Sequence, residues 1–489
     1  MNANIALVYP ILLPIVAGFA AWKMRERKWR NALTIAALLA EVLIVGLLCL
    51  RADSELTLWN LTADLRVGLR FDGVGKWFGL LISVMWACVG LYSFTYMEHD
   101  HQDGRFYLFY LLTLGVLEGL SMSANLVTMY MFYELMTLLS LPMVLQEKTK
   151  EAIAAGIKYL LYSVLGASMA LFGIFLFWKY GPTLEFTAGG VLTAESMSGH
   201  ENLMRAASFL MLVGFGVKAG LFPLHGWLPT AHPVAPAPAS AVLSGVITKA
   251  GVLGSLRVVY YLAGASFLRG SWVQFAWMGL TLFTVFLGSM MAYREDLLKK
   301  RLAYSTVSQV SYVLFGLSTM TEMGFVGALL HIVFHSAIKN TLFMSAGAII
   351  HQTGKTRVSQ LRGIGKQMPV TMWCFIIVSA GLIGIPPTAG FISKWYLAGG
   401  AIAMEAGAFS WMGPVTLLLS AILTAGYLLS IAIRGFFPGT DFDYSALEKA
   451  EPDWKMLLPM LVLAAAVLLC GMFPGALIDF AGAIASLVL

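Results

Sequence analysis

Charge is what this chain has least of. Only 12% of its 489 residues are Asp, Glu, Lys or Arg, against 59% hydrophobic residues. A soluble protein of this length carries about twice that charged fraction. Cysteine is also scarce. The four present, Cys49, Cys88, Cys374 and Cys470, fall in apolar runs and none has a C-x-x-C spacing. Structural zinc and iron–sulfur clusters need grouped thiolates, so no such site is expected here. A glycine-rich nucleotide fingerprint is missing too. No compact basic domain accompanies the net charge of +6, which argues against nucleic acid as a partner. The sequence thus calls for no cofactor in this chain.

What is there is a succession of apolar runs long enough to cross a bilayer. Run lengths predict about fourteen spans, near 5–22, 31–50, 74–96, 106–123, 125–145, 152–178, 205–223, 240–262, 272–292, 302–319, 324–350, 370–399, 411–433 and 456–475. The expected fold is an all-α polytopic membrane protein. The basic cluster Lys23, Arg25, Arg27, Lys28 and Arg30 follows the first run rather than preceding it, unlike a cleaved signal peptide. Lys148, Lys150, Arg294, Lys299, Lys300, Arg301, Lys355, Arg357, Arg362 and Lys366 fall in loops on that same side. The positive-inside rule makes that side cytoplasmic and puts both termini outside; the membrane expected is the cytoplasmic (inner) one of a prokaryote. Loop 51–73, mixed in charge, reads as a short external cap. The acidic loop 434–455 reads as a solvated segment, with a docking surface as the alternative.

Two spans are expected to be broken. One reaches Leu221-Phe222-Pro223 and continues through Pro229, Pro233, Pro236 and Pro238. The other contains Gly384-Ile385-Pro386-Pro387. Proline removes a helix donor and clashes with the preceding turn. Unwound backbone at membrane depth persists only inside protein or beside water, and paired breaks in two halves point to a transport site. A weak internal repeat aligns Lys158, Tyr162 and Ser163 with His331, His335 and Ser336.

Charged groups inside these spans are the candidate functional residues, because each costs a few kcal/mol at bilayer depth. Glu134 has no visible partner on its own helix turn, and Lys218 is the candidate cation. The two form either a gating pair or a static ion pair that fixes packing. Lys249 lies among small residues, about ten positions from either end of its span, too deep to snorkel easily. His331, His335 and Lys339 recur at i, i+4 and i+8 on one helix face. Two histidines at that spacing also suit a metal, but the H-E-x-x-H carboxylate is absent, since Ile332-Val333-Phe334 fill the gap. A water-linked proton relay is the favoured reading. Lys394 reads as an exit gate toward the outside, or as an interfacial anchor beside Trp395. Lys158, His225 and His232 are secondary candidates, the histidines flanking the unwound segment. Asp72 and Asp296 read as caps or loop contacts.

These motifs together resemble the antiporter-like membrane family of Mrp-type sodium/proton antiporters, complex I pumping subunits and membrane-bound group 4 hydrogenases, including formate hydrogenlyase. The likeness is carried over about residues 100–400 by the Glu134 helix, Lys218-Ala-Gly-Leu-Phe-Pro-Leu-His-Gly-Trp-Leu-Pro, His232-Pro-Val-Ala-Pro and Lys249-Ala-Gly. It continues in Lys300-Arg-Leu-Ala-Tyr-Ser-Thr-Val-Ser-Gln, His331 to Asn340, and Gly390-Phe-Ile-Ser-Lys394. The resemblance implies two inverted five-helix repeats, expected at 101–262 and 263–435, between N-terminal helices (1–100) and a C-terminal helix (436–489). It implies broken seventh and twelfth spans, a Glu134–Lys218 gating pair, Lys249 as central relay, and a link from His331, His335 and Lys339 to Lys394. Lysine at 394 and an end after about fourteen spans resemble the D-type member of the Mrp antiporters or a hydrogenase-type member. The function implied is proton translocation through two half-channels joined at a central lysine. The expected partners are other membrane subunits, with iron–sulfur peripheral subunits in redox-driven members. Sodium/proton exchange and a non-transporting anchor are the alternatives. A quinone-binding or hydrogen-evolving enzyme has no ligand set to support it.

Overall fold

The computed structural model describes residues 3–62, 65–193, 195–443 and 447–489. Apolar segments shielded from water must satisfy their own backbone donors and acceptors, and here they do so as helices. The first half contains α1 (Tyr9–Lys23), α2 (Arg27–Cys49), α3 (Gly73–Tyr96), α4 (Asp103–Ser121), α5 (Leu126–Val144), α6 (Lys150–Tyr180), α7 (Glu201–Ala219), α8 (Leu228–Val234), α9 (Ala237–Val242) and α10 (Thr248–Arg257). Then come α11 (Ala265–Leu268), α12 (Trp272–Arg294), α13 (Leu298–Ser318), α14 (Glu322–Thr353), α15 (Ile364–Gln367), α16 (Pro369–Ile383), α17 (Ala389–Ile402), α18 (Ala408–Phe436), α19 (Trp454–Met472) and α20 (Gly475–Val488). Helices α9 and α10 belong to one continuous helix, Ala237–Ala263, in which Leu243–Ile247 and Val258–Ala263 are π-helical turns.

Ten helices are long and apolar enough to cross a membrane by length and composition. With α4, α13 and the two broken helices, α7/α8 and α16/α17, they account for the fourteen crossings expected. Helix α20 is additional to those expected spans. Its Phe480 ring lies 5.5 Å from Trp77, and Ile484 abuts Gly73, both at the start of α3. It therefore covers the end of the bundle on which the hairpin described next lies.

Loop 51–73 is more ordered than a simple cap. Strands β1 (Ser54–Asn60) and β2 (Arg66–Phe71) pair antiparallel, with Leu56 opposite Leu69 and Glu55 opposite Arg70. Arg66 and Arg70 both reach Glu55 and Glu185, which ties the hairpin to the segment after α6. The acidic loop after α18 is also used structurally. Glu451 accepts from the Val370 and Thr371 amides at the start of α16, at 2.5 and 3.3 Å, and Asp453 caps α19. Negative groups at helix N-termini satisfy orphan donors and oppose the helix dipole favourably.

Both broken helices end in the same way. Gly220 (φ 83°) and Gly384 (φ 93°) adopt left-handed backbone, and the next amides reach back five residues, Leu221 to Gly216 at 2.8 Å and Ile385 to Ala380 at 3.0 Å. This is the Schellman termination, which glycine permits because it has no Cβ. The Pro-rich stretch after the first break is more helical than expected. It forms α8 and α9, and true interruptions remain only at 220–227 and 235–236.

Burial identifies the centre. The helix Ala237–Ala263 is 100% buried over its apolar window and α14 is 94% buried, against 39% for α6 and α18. Large apolar residues such as Leu39, Leu161, Trp411 and Leu418 lie on the peripheral helices and are exposed.

Candidate functional site

Lys218 sits in the last turn of α7 with 1% of its surface exposed. Its Nζ donates to Thr137 Oγ1 (2.9 Å), Tyr159 OH (3.0 Å) and Ser163 Oγ (2.9 Å). Those three acceptors match the three donors of an ammonium. Tyr159 and Trp227 also turn ring faces toward it, with centres 4.4 and 5.7 Å away. Glycines make this possible: a Cβ on Gly166 or Gly214 would lie 2.6 or 2.5 Å from the other's carbonyl oxygen, so α6 and α7 are in backbone contact there.

Glu134 is half-buried on α5, one turn after Tyr130, whose side chain it hydrogen-bonds. Glu134 thus has a partner on its own helix, contrary to the expectation of none. Lys218 is the cation that acts on Glu134, yet no ion pair joins the two among the described residues. The gating pair implied by the resemblance is thus not in contact in this conformation, because Lys218 is already fully bonded to hydroxyls.

Lys249 is the second residue of α10, just after the π-helical turn. Single π turns inside α-helices are frequent at functional sites. The Ser244 carbonyl accepts from Lys249 Nζ at 2.6 Å. On its other side Nζ lies 2.7 Å from His335 Nδ1. The lysine-bearing helix packs closely on α7, since a Cβ on Gly251 would collide with the Phe215 carbonyl oxygen.

Along α14 the expected stripe is present and buried. His331 contacts Ser393 Oγ through Nδ1 (2.9 Å) and Gln309 Oε1 through Nε2 (3.2 Å). Its ring centre is 5.9 Å from that of His335. Lys339 Nζ donates to the Leu302 carbonyl at 3.0 Å. Tyr312 stacks on His331 at 5.5 Å, and its ring lies 5.1 Å from Lys394 Nζ. Lys394 Nζ donates to the Leu382 and Ile383 carbonyls, at 2.6 and 2.9 Å, and so caps the broken end of α16. Its neighbour Trp395 points outward.

The secondary candidates are spread around the first break. Half-buried Lys158 donates to Thr230 on α8 at 3.0 Å. His225 is half-buried in the interruption. His232 lies within α8 rather than in an unwound segment, stacked on Phe343 at 4.6 Å. Asp72 does cap α3, through the Gly75 amide, and also pairs with buried Arg257 at 2.6 Å. Asp296 binds Ser359 across two loops.

Sequence reasoning passes over Thr137, Tyr159, Gln309, Tyr312 and Ser393 as site residues. A signal exists for some of them. Thr137 is three residues after Glu134, and Tyr159 and Ser163 are i, i+4 on α6, spacings that put each pair on one face. Nothing local points to Gln309 or Ser393, which meet His331 only through tertiary packing.

A multi-span helical bundle with two matched helix breaks and a buried lysine–histidine row defines an antiporter-like membrane subunit. A family model described as NADH:quinone oxidoreductase/Mrp antiporter, transmembrane, matches residues 123–420, and one described as NADH-ubiquinone oxidoreductase (complex I), chain 5 N-terminus, matches residues 59–107. The chain belongs to this family. NADH-quinone oxidoreductase subunit N of Desulforudis audaxviator is 32% identical over 396 residues, covering 78% of this chain and 77% of that protein. Hydrogenase-4 component B of Escherichia coli is 31% identical over 416 residues, covering 81% of this chain and 61% of that protein. A chain of the Mrp complex from Dietzia sp. DQ12-45-1b superposes with a TM-score of 0.85 at 20% identity, covering 100% of this chain and 98% of that one.

Proposed function

We propose that this chain is a proton-translocating subunit of a multisubunit membrane complex. Two half-paths meet at Lys249. The observation that carries this reading is the 2.7 Å contact between Lys249 Nζ and His335 Nδ1, enclosed between the two most buried of the ten long apolar helices. Whichever nitrogen carries the proton, the two lie at the separation a proton hop needs. A proton passed to His335 Nδ1 leaves from Nε2, which has no protein partner among the described residues. From there a water reaches His331, and the path continues past Ser393 and Tyr312 to Lys394. On the other side, Glu134 and Lys218 respond to charge in a neighbouring subunit. Glu134 is half-exposed on α5 and so open to the charge of such a neighbour.

In this reading the basic loops face the cytoplasm of a prokaryote and both termini lie outside. The chain itself holds no cofactor. Its partners are other membrane subunits, and iron–sulfur peripheral subunits join them where redox chemistry drives the complex. Iron in the purified complex decides that point.

The test is Lys249→Ala in the intact complex, reconstituted in vesicles with a pH-sensitive dye. Proton movement is expected to stop while all subunits remain assembled. Undiminished pumping overturns the proposal.

A further inference from the structure

On the side of the basic loops, between α3, α8 and α13, lies a cavity of about 240 Å³ lined by Tyr96, Glu147, Pro233, Lys299, Lys300 and Thr356. Lys299 projects from the first turn of α13 onto the end of α8. Its Nζ donates to the Pro233 carbonyl (3.2 Å) and to the Ala235 carbonyl. These carbonyls close a helix whose continuation starts with Pro236 and Pro238, and proline offers no N–H. A cation at a helix C-terminus satisfies such orphan acceptors. The carboxylate that acts on Lys299 is Glu147, another lining residue of the cavity.

Beyond Lys299 the interior is polar and unpaired. His232 is wholly buried, and neither ring nitrogen has a hydrogen-bond partner among the described residues. The charged groups facing it are Lys299, Lys339 and Lys249. The Asn340 side-chain amide is likewise buried, with neither polar atom paired among the described residues. Buried polar atoms without a protein partner are the places where ordered water is found. Asn340 abuts Gly245, the residue after the Ser244 whose carbonyl holds Lys249, and His232 feels the charges of both Lys299 and Lys249.

We propose that this cavity is the proton-uptake mouth and that Lys299 is its plug, a positioning residue rather than a group on the path. This rests on the reading of Lys249 as the junction. While its ammonium caps α8, Lys299 stands between the cavity water and His232. When it swings to Glu147, the end of α8 is freed and water reaches His232.

Lys299→Ala and Lys299→Arg, made in the intact complex, test this. Diethyl pyrocarbonate is applied from the basic-loop side, and histidine adducts are read by peptide mass spectrometry. The alanine variant is expected to raise labelling of His232 several-fold with His331 unchanged, and the arginine variant to restore wild-type labelling. Unchanged His232 labelling in the alanine variant, or a rise at His331 of equal size, overturns the plug. A second reading uses Thr356→Cys. A bulky charged thiol reagent at the cavity rim is expected to slow proton movement from that side only, and full activity after complete modification overturns the mouth. Either failure alongside a Lys249→Ala variant that no longer moves protons removes the mouth but leaves the proton-translocating function standing.

Discussion

Thr137 stands between Glu134 and Lys218: it lies one turn along α5 from the carboxylate, and its hydroxyl holds Lys218 Nζ at 2.9 Å. The lysine is therefore tethered to the glutamate's own helix without touching the glutamate. In this conformation its charge is spread over three hydroxyls on α5 and α6.

Thr137→Val removes one of those acceptors at constant shape. A hydrogen bond to a charged group contributes about 1.5–3 kcal/mol, so the remaining contacts hold Lys218 less firmly. Proton movement in vesicles is expected to fall, with Thr137→Ser near wild type. Lys218→Ala is expected to abolish it while the subunits still co-purify. Wild-type rates in both Thr137→Val and Lys218→Ala would mean that this cage has no part in transport.

His335→Ala is expected to stop proton movement as fully as loss of Lys249 does, because the Nδ1 acceptor at 2.7 Å disappears. The double variant should be no worse than either single one, since the two act in one step. Additive losses measured in the same vesicle assay would place them on separate routes.

The helix breaks depend on left-handed glycines. Gly220→Ala incurs a left-handed penalty of about 1–2 kcal/mol, and the new Cβ meets Leu228 Cδ1 at 2.5 Å. Gly384→Ala places its Cβ 3.0 Å from Lys394 Cδ. Both are expected to lower the melting temperature of the purified complex, and the second should disturb transport more than stability because it displaces Lys394. Equal melting temperatures for wild type and Gly220→Ala would refute the first part.

The rim of the basic-side cavity carries its own acid limit. Asp296 accepts from the Ser359 amide (3.0 Å) and hydroxyl (2.9 Å), which stitches the loop before α13 to loop 355–360. Partial burial pushes its carboxyl up, but the Ser359 hydrogen bonds and the charges of Arg357 and Arg301 outweigh that and hold it below the usual aspartate value. A lowered carboxyl contributes stability that is present above its unfolded value, about 3.9, and lost as pH falls through the folded one. Amide exchange at 356–360, corrected for its intrinsic pH dependence, should stay slow from neutrality down to that region and rise only below it. Asp296→Asn should show the faster exchange at neutral pH. A rise already near pH 6 in the wild-type protein would contradict the assignment.

Much of this protein is legible in its amino-acid order alone. Long apolar runs and sparse charge dictate a helical membrane bundle, because lipid leaves backbone groups no other partner. The two Gly–Pro breaks are visible because these residues act locally. Glu134, Lys218, Lys249, His331, His335, Lys339 and Lys394 stand out because an ionisable group among apolar neighbours is costly wherever the chain goes. The hairpin at 54–71 and the course of α20 are not legible, since short amphipathic segments are ambiguous without the surface they cover.

The sequence by itself therefore determined which residues are exceptional, and only the tertiary structure decided what each one faces. Lys218 meets Thr137, Tyr159 and Ser163, up to 81 positions away, and not the glutamate expected for it. Lys249 meets His335, 86 positions away, because its helix packs against α14 just after a π-helical turn. Lys394 and Lys299 each cap a broken helix whose carbonyls no local amide can reach. Helix periodicity places a side chain on a face, but its partner depends on which helix packs there, and that is settled by the summed fit of many apolar and glycine contacts across the whole bundle.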